Sequence, residues 1–292
     1  MPELPEVETT ARSLRPRLVG RRVLGVSCVD WPRMLPNTTQ ADLDSTLRTV
    51  CVTTVTRRGK YLLIEFDNGA WLAIHRKMSG NLLLQSGETP RAAHTHLEIA
   101  FDSGDVLRFV DARKFGRVYL FIANEDLSDF LAERLGPDSL LDLDEGVLVA
   151  KLRGRRGRIK SLLLDQSFLA GIGNLYADEA LWLARIHPLR GGDTLSDPEV
   201  RRLAHAIREV LTAGIERRGT SFSTYLDSDG LPGDNQEFLN VYGREGEPCP
   251  RCGTPIRRVL VGQRSSHFCP RCQSPLPLGE GQGEGPYAAR SF

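Results

Sequence analysis

Residues 61–75, YLLIEFDNGAWLAIH, hold two short apolar runs separated by a turn signal. YLLIEF (61–66) and WLAIH (71–75) have strand composition, and Asn68-Gly69 between them is a dipeptide that favours a tight hairpin. Three further runs follow, LEIAF (97–101), VLRFV (106–110) and RVYLFI (117–122), with Ser103-Gly104 marking another turn. The runs lie close together in the chain with no helical pattern read between them. That pattern predicts an antiparallel sandwich or barrel.

On the N-terminal side, Leu4, Val7, Ala11, Leu14 and Leu18 recur at helical spacing and predict an amphipathic helix from residue 5 to about 18, disturbed at Pro16. From about residue 125 the chain turns helical. Ser196-x-x-Glu199 is a capping box, and Leu203, Ile207, Leu211 and Ile215 form the apolar stripe of a long helix behind it. Residues 220–248 are polar and rich in Gly and Pro, which predicts a long loop. The tail, LPLGEGQGEGPYAARSF, has too little apolar content to pack and is expected to be disordered.

Composition narrows the class. At 292 residues the chain has room for two domains and an appendage, and its 40% hydrophobic and 26% charged content is that of a soluble globular protein. No stretch has the apolar length of a membrane span, and the N-terminus lacks a signal peptide's apolar core, so a cytoplasmic protein is expected. The net charge of +1 points to no partner, which leaves local charge to be read. KLRGRRGRIK (151–160) holds six cations and no acid. A one-signed block in a nearly neutral chain predicts contact with a polyanion. RRGK (57–60), placed just before a strand, reads as a second cationic patch. In LAGIGNLYADEAL (169–181), Gly171, Gly173 and Asn174 mark a helix entrance whose amides suit a phosphate.

Four of the six cysteines form two CPRC units, Cys249/Cys252 and Cys269/Cys272, separated by 16 residues. In a reducing compartment this spacing predicts a zinc ribbon with four thiolate ligands and no open position, hence one structural Zn²⁺. His267 is an alternative ligand. Cys28 and Cys51 lie among apolar residues and read as buried thiols. Arg257, Arg258 and Arg264 between the pairs give the ribbon a cationic face suited to phosphates; a ribbon that only staples the C-terminal region is the competing reading.

The start, MPELPEVETT, admits two readings. Met-Pro followed by Pro5 is an ordinary chain start into a helix. Removal of Met1 would instead expose Pro2 as a secondary amine beside Glu3, and an α-amino group, titrating at about 8, is an available nucleophile near neutral pH.

PELPEVET, RRGKYL, HRKMSG, DARKFGR, GIGNLYADEAL, SDGLPG with NVYGREGEPC, and the cysteine ribbon together resemble the bacterial formamidopyrimidine-DNA glycosylase family, from residue 1 to about 273. The resemblance implies an α+β multidomain fold. Its expected parts are an N-terminal β-sandwich with its helix (1–132), a helix-two-turns-helix domain (133–232), and the end of a lesion loop with a zinc finger (233–274), followed by the tail (275–292). It implies a monomer that binds double-stranded DNA carrying damaged bases or abasic sites. The implied enzyme is a bifunctional glycosylase and lyase of base excision repair, acting on oxidised purines (8-oxoguanine and formamidopyrimidines) by β,δ-elimination.

The resemblance also implies roles. Pro2 matches the nucleophile that forms a Schiff base, Glu3 the group that assists proton transfer to the sugar ring oxygen, Lys60 a catalytic lysine, and Arg264 the arginine of the second elimination. For Lys60 and Arg264 a phosphate clamp without chemistry is an equal alternative. Met78, Arg113 and Phe115 match the trio that fills the stack when a nucleotide is extruded; residue type alone would put Met78 and Phe115 in a core. His94, Arg113 and Arg155 match DNA-contacting positions, and Asn174 a phosphate ligand. His75 reads as a packed strand histidine. Arg76 and Lys77 depart from the family's apolar or small residues and are expected to tune DNA contact. Two other functions compete: the sister activity on oxidised pyrimidines, and a non-catalytic DNA-binding zinc protein, against which the joint presence of Pro2, Glu3, Lys60 and Arg264 argues.

Overall fold

The computed structural model describes residues 2–28, 31–222 and 224–273; the tail lies outside the described residues, as does the Cys28 side chain. Helix α1 (Leu4–Leu18) opens the chain and continues through Pro16 in its last turn. Strands β1 (Val23–Cys28), β2 (Val52–Arg58), β3 (Tyr61–Phe66), β4 (Trp71–His75), β5 (Asn81–Ser86), β6 (Thr95–Phe101), β7 (Asp105–Val110) and β8 (Arg117–Phe121) follow, with α2 (Gln40–Leu47) between the first two. They form two four-stranded antiparallel sheets, ordered β1-β6-β7-β5 and β2-β3-β4-β8. The expected sandwich is present. The five anticipated runs are strands. β1, β2 and β5 were not anticipated, because register shifts and polar residues break their apolar patterns.

After α3 (Asn124–Ala132) the second lobe is built from α4 (Glu145–Leu152), α5 (Ile159–Leu164), α6 (Asn174–Leu183) and α7 (Asp197–Glu216). The Ser196 capping box opens α7 as the spacing predicts. The hairpin of β9 (Arg257–Val261) and β10 (Arg264–Phe268) carries the cysteine ribbon. None of the described helices is long and apolar enough to cross a membrane.

Helix α1 belongs to both lobes. Leu4 is buried in the helical core, whereas Val7, Ala11, Leu14 and Leu18 are buried in the sandwich core. Each fully buried leucine contributes about 1.5–3 kcal/mol relative to exposure, so the first turn is fastened to one lobe and the rest to the other. A buried ion pair reinforces the seam: Arg57 bonds Asp138 at 2.6 Å and Glu8 at 3.0 Å, and the Gly59 amide donates to the same Asp138 carboxylate at 2.8 Å. This corrects the reading of RRGK as a second DNA-facing patch. Arg57 is buried at the lobe seam and Arg58 pairs with Asp142; both close β2, and the stretch runs directly into β3 as expected. Lys60 alone of this stretch turns toward the site. Cys51 is partly exposed, not buried as expected.

Candidate active site and nucleic-acid interface

The first turn of α1 meets the N-terminus of α6. Gly173 is the N-cap of α6, and the Glu3 carboxylate accepts from the amides of Gly173 (2.8 Å), Leu175 (3.1 Å) and Tyr176 (3.4 Å). Glycines make this approach sterically open. A Cβ on Gly173 would lie 2.3 Å from Glu3 Cδ, and one on Gly171, whose φ is +106°, would lie 2.5 Å from Leu4 Cδ1. The entrance is therefore filled by the protein's own carboxylate, which corrects the expectation that these amides await a DNA phosphate. Asn174 sits beside them, its Oδ1 buried without a hydrogen-bond partner among the described residues.

A pocket of about 80 Å³ opens here, lined by Pro2, Glu3, Glu6, Tyr176, Thr220 and Tyr225 among others. Glu6 is buried and ties three elements together, accepting from the Glu3 amide (2.7 Å), the Tyr176 hydroxyl (2.8 Å) and the Thr220 amide (2.8 Å). Burial raises the Glu3 pKa, and the Glu6 charge adds to this; Lys60 and the α6 amides act in the opposite direction without cancelling it. Burial also lowers the Lys60 pKa, assisted by Arg264 and opposed by Glu3 and Glu6. The site thus holds a carboxyl that keeps a proton more readily than usual and an amine that gives one up more readily. Pro2 and Glu3 line the pocket, and Lys60 lies close enough to Glu3 and to Arg264 for both charges to shift its titration.

Arg264 opens β10 directly after the turn at Gly262-Gln263, both with positive φ, and its side chain is exposed. Beneath it, Lys160 and Asp178 form a fully buried pair at 2.6 Å. Lys160 donates to the Ser265 carbonyl, and Asp178 accepts from the Ser266 hydroxyl and the His267 amide. Lys160 therefore leaves the basic block and holds the ribbon, whereas Arg153, Arg155, Arg156 and Arg158 stay exposed. The sulfurs of Cys249, Cys252, Cys269 and Cys272 lie within 4.8 Å of one another, with 3.9 Å between Cys249 and Cys272 and 3.5 Å between Cys252 and Cys269. Four thiolates at about 2.3 Å from zinc have tetrahedral edges of about 3.8 Å, so the cluster fits one structural zinc ion. His267 instead faces Asp178 and is not part of the cluster.

Met78, His94, Arg113 and Phe115 lie on three loops of the sandwich, β4–β5, β5–β6 and β7–β8. Arg113 lies over the Phe115 ring, 5.1 Å from its centroid, and Phe115 is 45% exposed, far too open for a core residue. Met78 is partly buried in the β4–β5 turn, and His94 is exposed with φ +65°. Asp111, a residue that sequence reasoning passed over, organises the group. Its buried carboxylate accepts from the Ser79 hydroxyl (2.5 Å) and from the amides of Arg113 (3.3 Å), Phe115 (2.9 Å) and Gly116 (2.7 Å). The loop carrying Arg113 and Phe115 is thereby tied to the turn carrying Met78. Arg155 is in a third place, the turn between α4 and α5. Arg76, expected to tune DNA contact, is fully buried instead. Tyr176, Thr220 and Tyr225 were also missed, as were the bonds they make to Glu6, the second acid one helical turn after Glu3.

A sandwich and a helical lobe sharing one N-terminal helix, a buried carboxyl beside a pocket, exposed arginines and a zinc ribbon define a two-lobed DNA glycosylase. Three family descriptions match in series: the formamidopyrimidine-DNA glycosylase N-terminal domain over residues 1–118, the H2TH domain of that enzyme over 135–225, and a zinc finger found in FPG and IleRS over 246–275. The formamidopyrimidine-DNA glycosylase of Chloroflexus aggregans is 49% identical over 94% of this chain and 98% of its own length, and that of Herpetosiphon aurantiacus 47% over 94% and 100%. The Lactococcus lactis Fpg complex with abasic-site DNA superposes with a TM-score of 0.87 at 38% identity, covering 94% of this chain and 100% of that one. The chain belongs to the formamidopyrimidine-DNA glycosylase family.

Proposed function

We propose that this base-excision glycosylase and AP lyase works on double-stranded DNA with Pro2 as nucleophile and Glu3 as its proton donor. The observation that carries the assignment is the shared pocket: Pro2 and Glu3 line one opening, and burial keeps the Glu3 carboxyl protonated to higher pH than usual. Once Met1 is removed, the Pro2 nitrogen attacks C1′ of the damaged nucleotide. The new N–C1′ bond replaces the bond to the base, which departs with a proton. Glu3 delivers a proton to the ring oxygen as the sugar opens to an iminium. Loss of a C2′ proton then expels the 3′ phosphate, and a second elimination expels the 5′ phosphate. Lys60 and Arg264 supply positive charge where those phosphates leave.

In this reading Met78, Arg113 and Phe115 fill the space left by the extruded nucleotide, while His94, Arg155 and Asn174 hold the backbone. Oxidised purines are the proposed substrates. Related Lactococcus lactis complexes hold Fapy-dG DNA and, in one case, DNA with an oxidised pyrimidine, so both lesion classes belong in the assay. All of these groups come from one chain, which supports a monomer as the acting unit, and a DNA target supports a cytoplasmic location. The proposed division is 1–132, 133–232 and 233–274, with the tail beyond.

Borohydride added during turnover of an 8-oxoguanine duplex tests the assignment. A covalent adduct mapping to residue 2 is expected, together with loss of cleavage when an added N-terminal residue turns the Pro2 amine into an amide. Normal cleavage by the blocked protein would transfer the nucleophile's role to Lys60.

A further inference from the structure

Arg76 is a cation with only 1% of its surface exposed, and the mechanism above gives it no part. Its guanidinium is engaged on every side. Nε donates to the Gly80 carbonyl (2.7 Å), Nη1 to the Thr10 hydroxyl (2.7 Å), and Nη2 to Asn81 Oδ1 (2.5 Å) and the Leu226 carbonyl (3.0 Å). The guanidinium carbon also lies 5.0 Å from the centroid of the Tyr225 ring. Asn81 grips the same segment: its Oδ1 accepts from the Leu226 amide (3.1 Å) and its Nδ2 donates to the Thr224 carbonyl (2.6 Å). Residues 224–226 belong to no helix or strand, yet Thr224 and Tyr225 line the pocket that contains Pro2 and Glu3.

A loop segment without regular structure loses backbone freedom whenever it is ordered, either during folding or when the ligand arrives. Charge-assisted hydrogen bonds from a buried guanidinium are among the stronger ways to hold it in advance. We propose that Arg76 is a positioning residue that orders the 224–226 wall of the base pocket before DNA binds, so that an extruded base enters a wall already in place. The proposal rests on the pocket assignment above. It separates the two activities, because an abasic nucleotide has no base to seat against that wall.

The test compares the full-length protein with Arg76→Met, which keeps the length and removes the donors, and with Asn81→Ala, at a partly exposed strand start. Each is assayed on an 8-oxoguanine duplex and on a preformed abasic duplex. Arg76→Met is expected to lower kcat/KM for base excision about tenfold or more, the scale of a lost charge-assisted hydrogen bond, with abasic-site cleavage within about twofold of the parent. Amide exchange of residues 224–226 without DNA should accelerate, while the sandwich strands stay protected. Equal losses on both substrates, no loss on either, or unchanged exchange would overturn the proposal. If Arg76→Met does not fold, Asn81→Ala decides by the same criterion: a selective loss supports the role, and an unselective one refutes it. A parent protein that gives no residue-2 adduct with the abasic duplex would sink the pocket assignment, and this inference with it. A parent that gives the adduct, beside variants without the split, would sink the role of Arg76 alone.

Discussion

The Gly173 amide donates to the Glu3 carboxylate at 2.8 Å, joining residues 170 positions apart. A helix N-terminus ordinarily offers its amides to an outside anion. Here α6 gives them to the acid that lines the pocket beside Pro2, so the position of the proposed proton donor is set by the helical lobe.

Gly173→Ala tests this directly. The backbone φ of −128° suits alanine, so the cost comes from the added Cβ, which would lie 2.3 Å from Glu3 Cδ. Overpacking of this kind costs about 1–3 kcal/mol. A fall of at least tenfold in base excision is expected, with a modest drop in Tm. Undiminished activity would show that the carboxyl need not be held there.

Asp111→Ala should uncouple the two loop tips. It leaves the Ser79 hydroxyl and the Phe115 and Gly116 amides without their acceptor, at about 2–4 kcal/mol in stability. Lesion discrimination should suffer more than abasic-site cleavage. A fluorescent base analogue opposite the lesion, whose signal reports filling of the vacated stack, is the measurement; an unaltered signal would remove Asp111 from this role.

Arg155 is exposed on the α4–α5 turn, away from the pocket. Arg155→Ala is expected to weaken binding to damaged and undamaged duplexes alike. The log–log dependence of affinity on salt should become shallower by about 0.9, the change produced when one fewer phosphate is neutralised. A weakening confined to damaged DNA would contradict the assignment.

Elemental analysis should find one zinc ion per chain. Cys249→Ser, or removal of the metal by a strong chelator, should unfold the ribbon and weaken DNA binding, because Cys249 and Cys269 form part of a small core with Trp182, Val241 and Ile256. Intact binding by a zinc-free protein would refute this.

His75 gives a prediction in pH. Burial, together with the charges of Lys77 and Lys60, pushes its pKa down from 6.5 to about 3, and its Nδ1 accepts from the Lys77 amide at 3.0 Å. The folded state therefore binds fewer protons than the unfolded state between those values. The stability from neutral His75 is present above pH 6.5 and is lost as pH falls toward 3. His75→Asn preserves an acceptor without the titration. Its denaturant midpoint should decline less than the parent's between about pH 7 and pH 4.5; parallel declines would assign the acid sensitivity elsewhere.

The periodicity around Asn68-Gly69 determined the hairpin, and with its neighbours the sandwich, because alternation and turn chemistry are local properties. The CPRC spacing determined the zinc ribbon for the same reason, and the motif set pointed to Pro2, Glu3, Lys60 and Arg264. Charge on its own misled. Arg57, Arg76 and Lys160 have the composition of a DNA-binding surface, yet each is buried against carboxylates or carbonyls. A cation's partner is chosen by what the fold brings near it, and Asp138 lies 81 positions from Arg57, Leu226 150 from Arg76. The capture of α6's amides by Glu3 was invisible for the same reason. Local sequence specifies the elements; which acid meets which amide is decided only when the two lobes close on helix α1, because burial removes water as the competing partner.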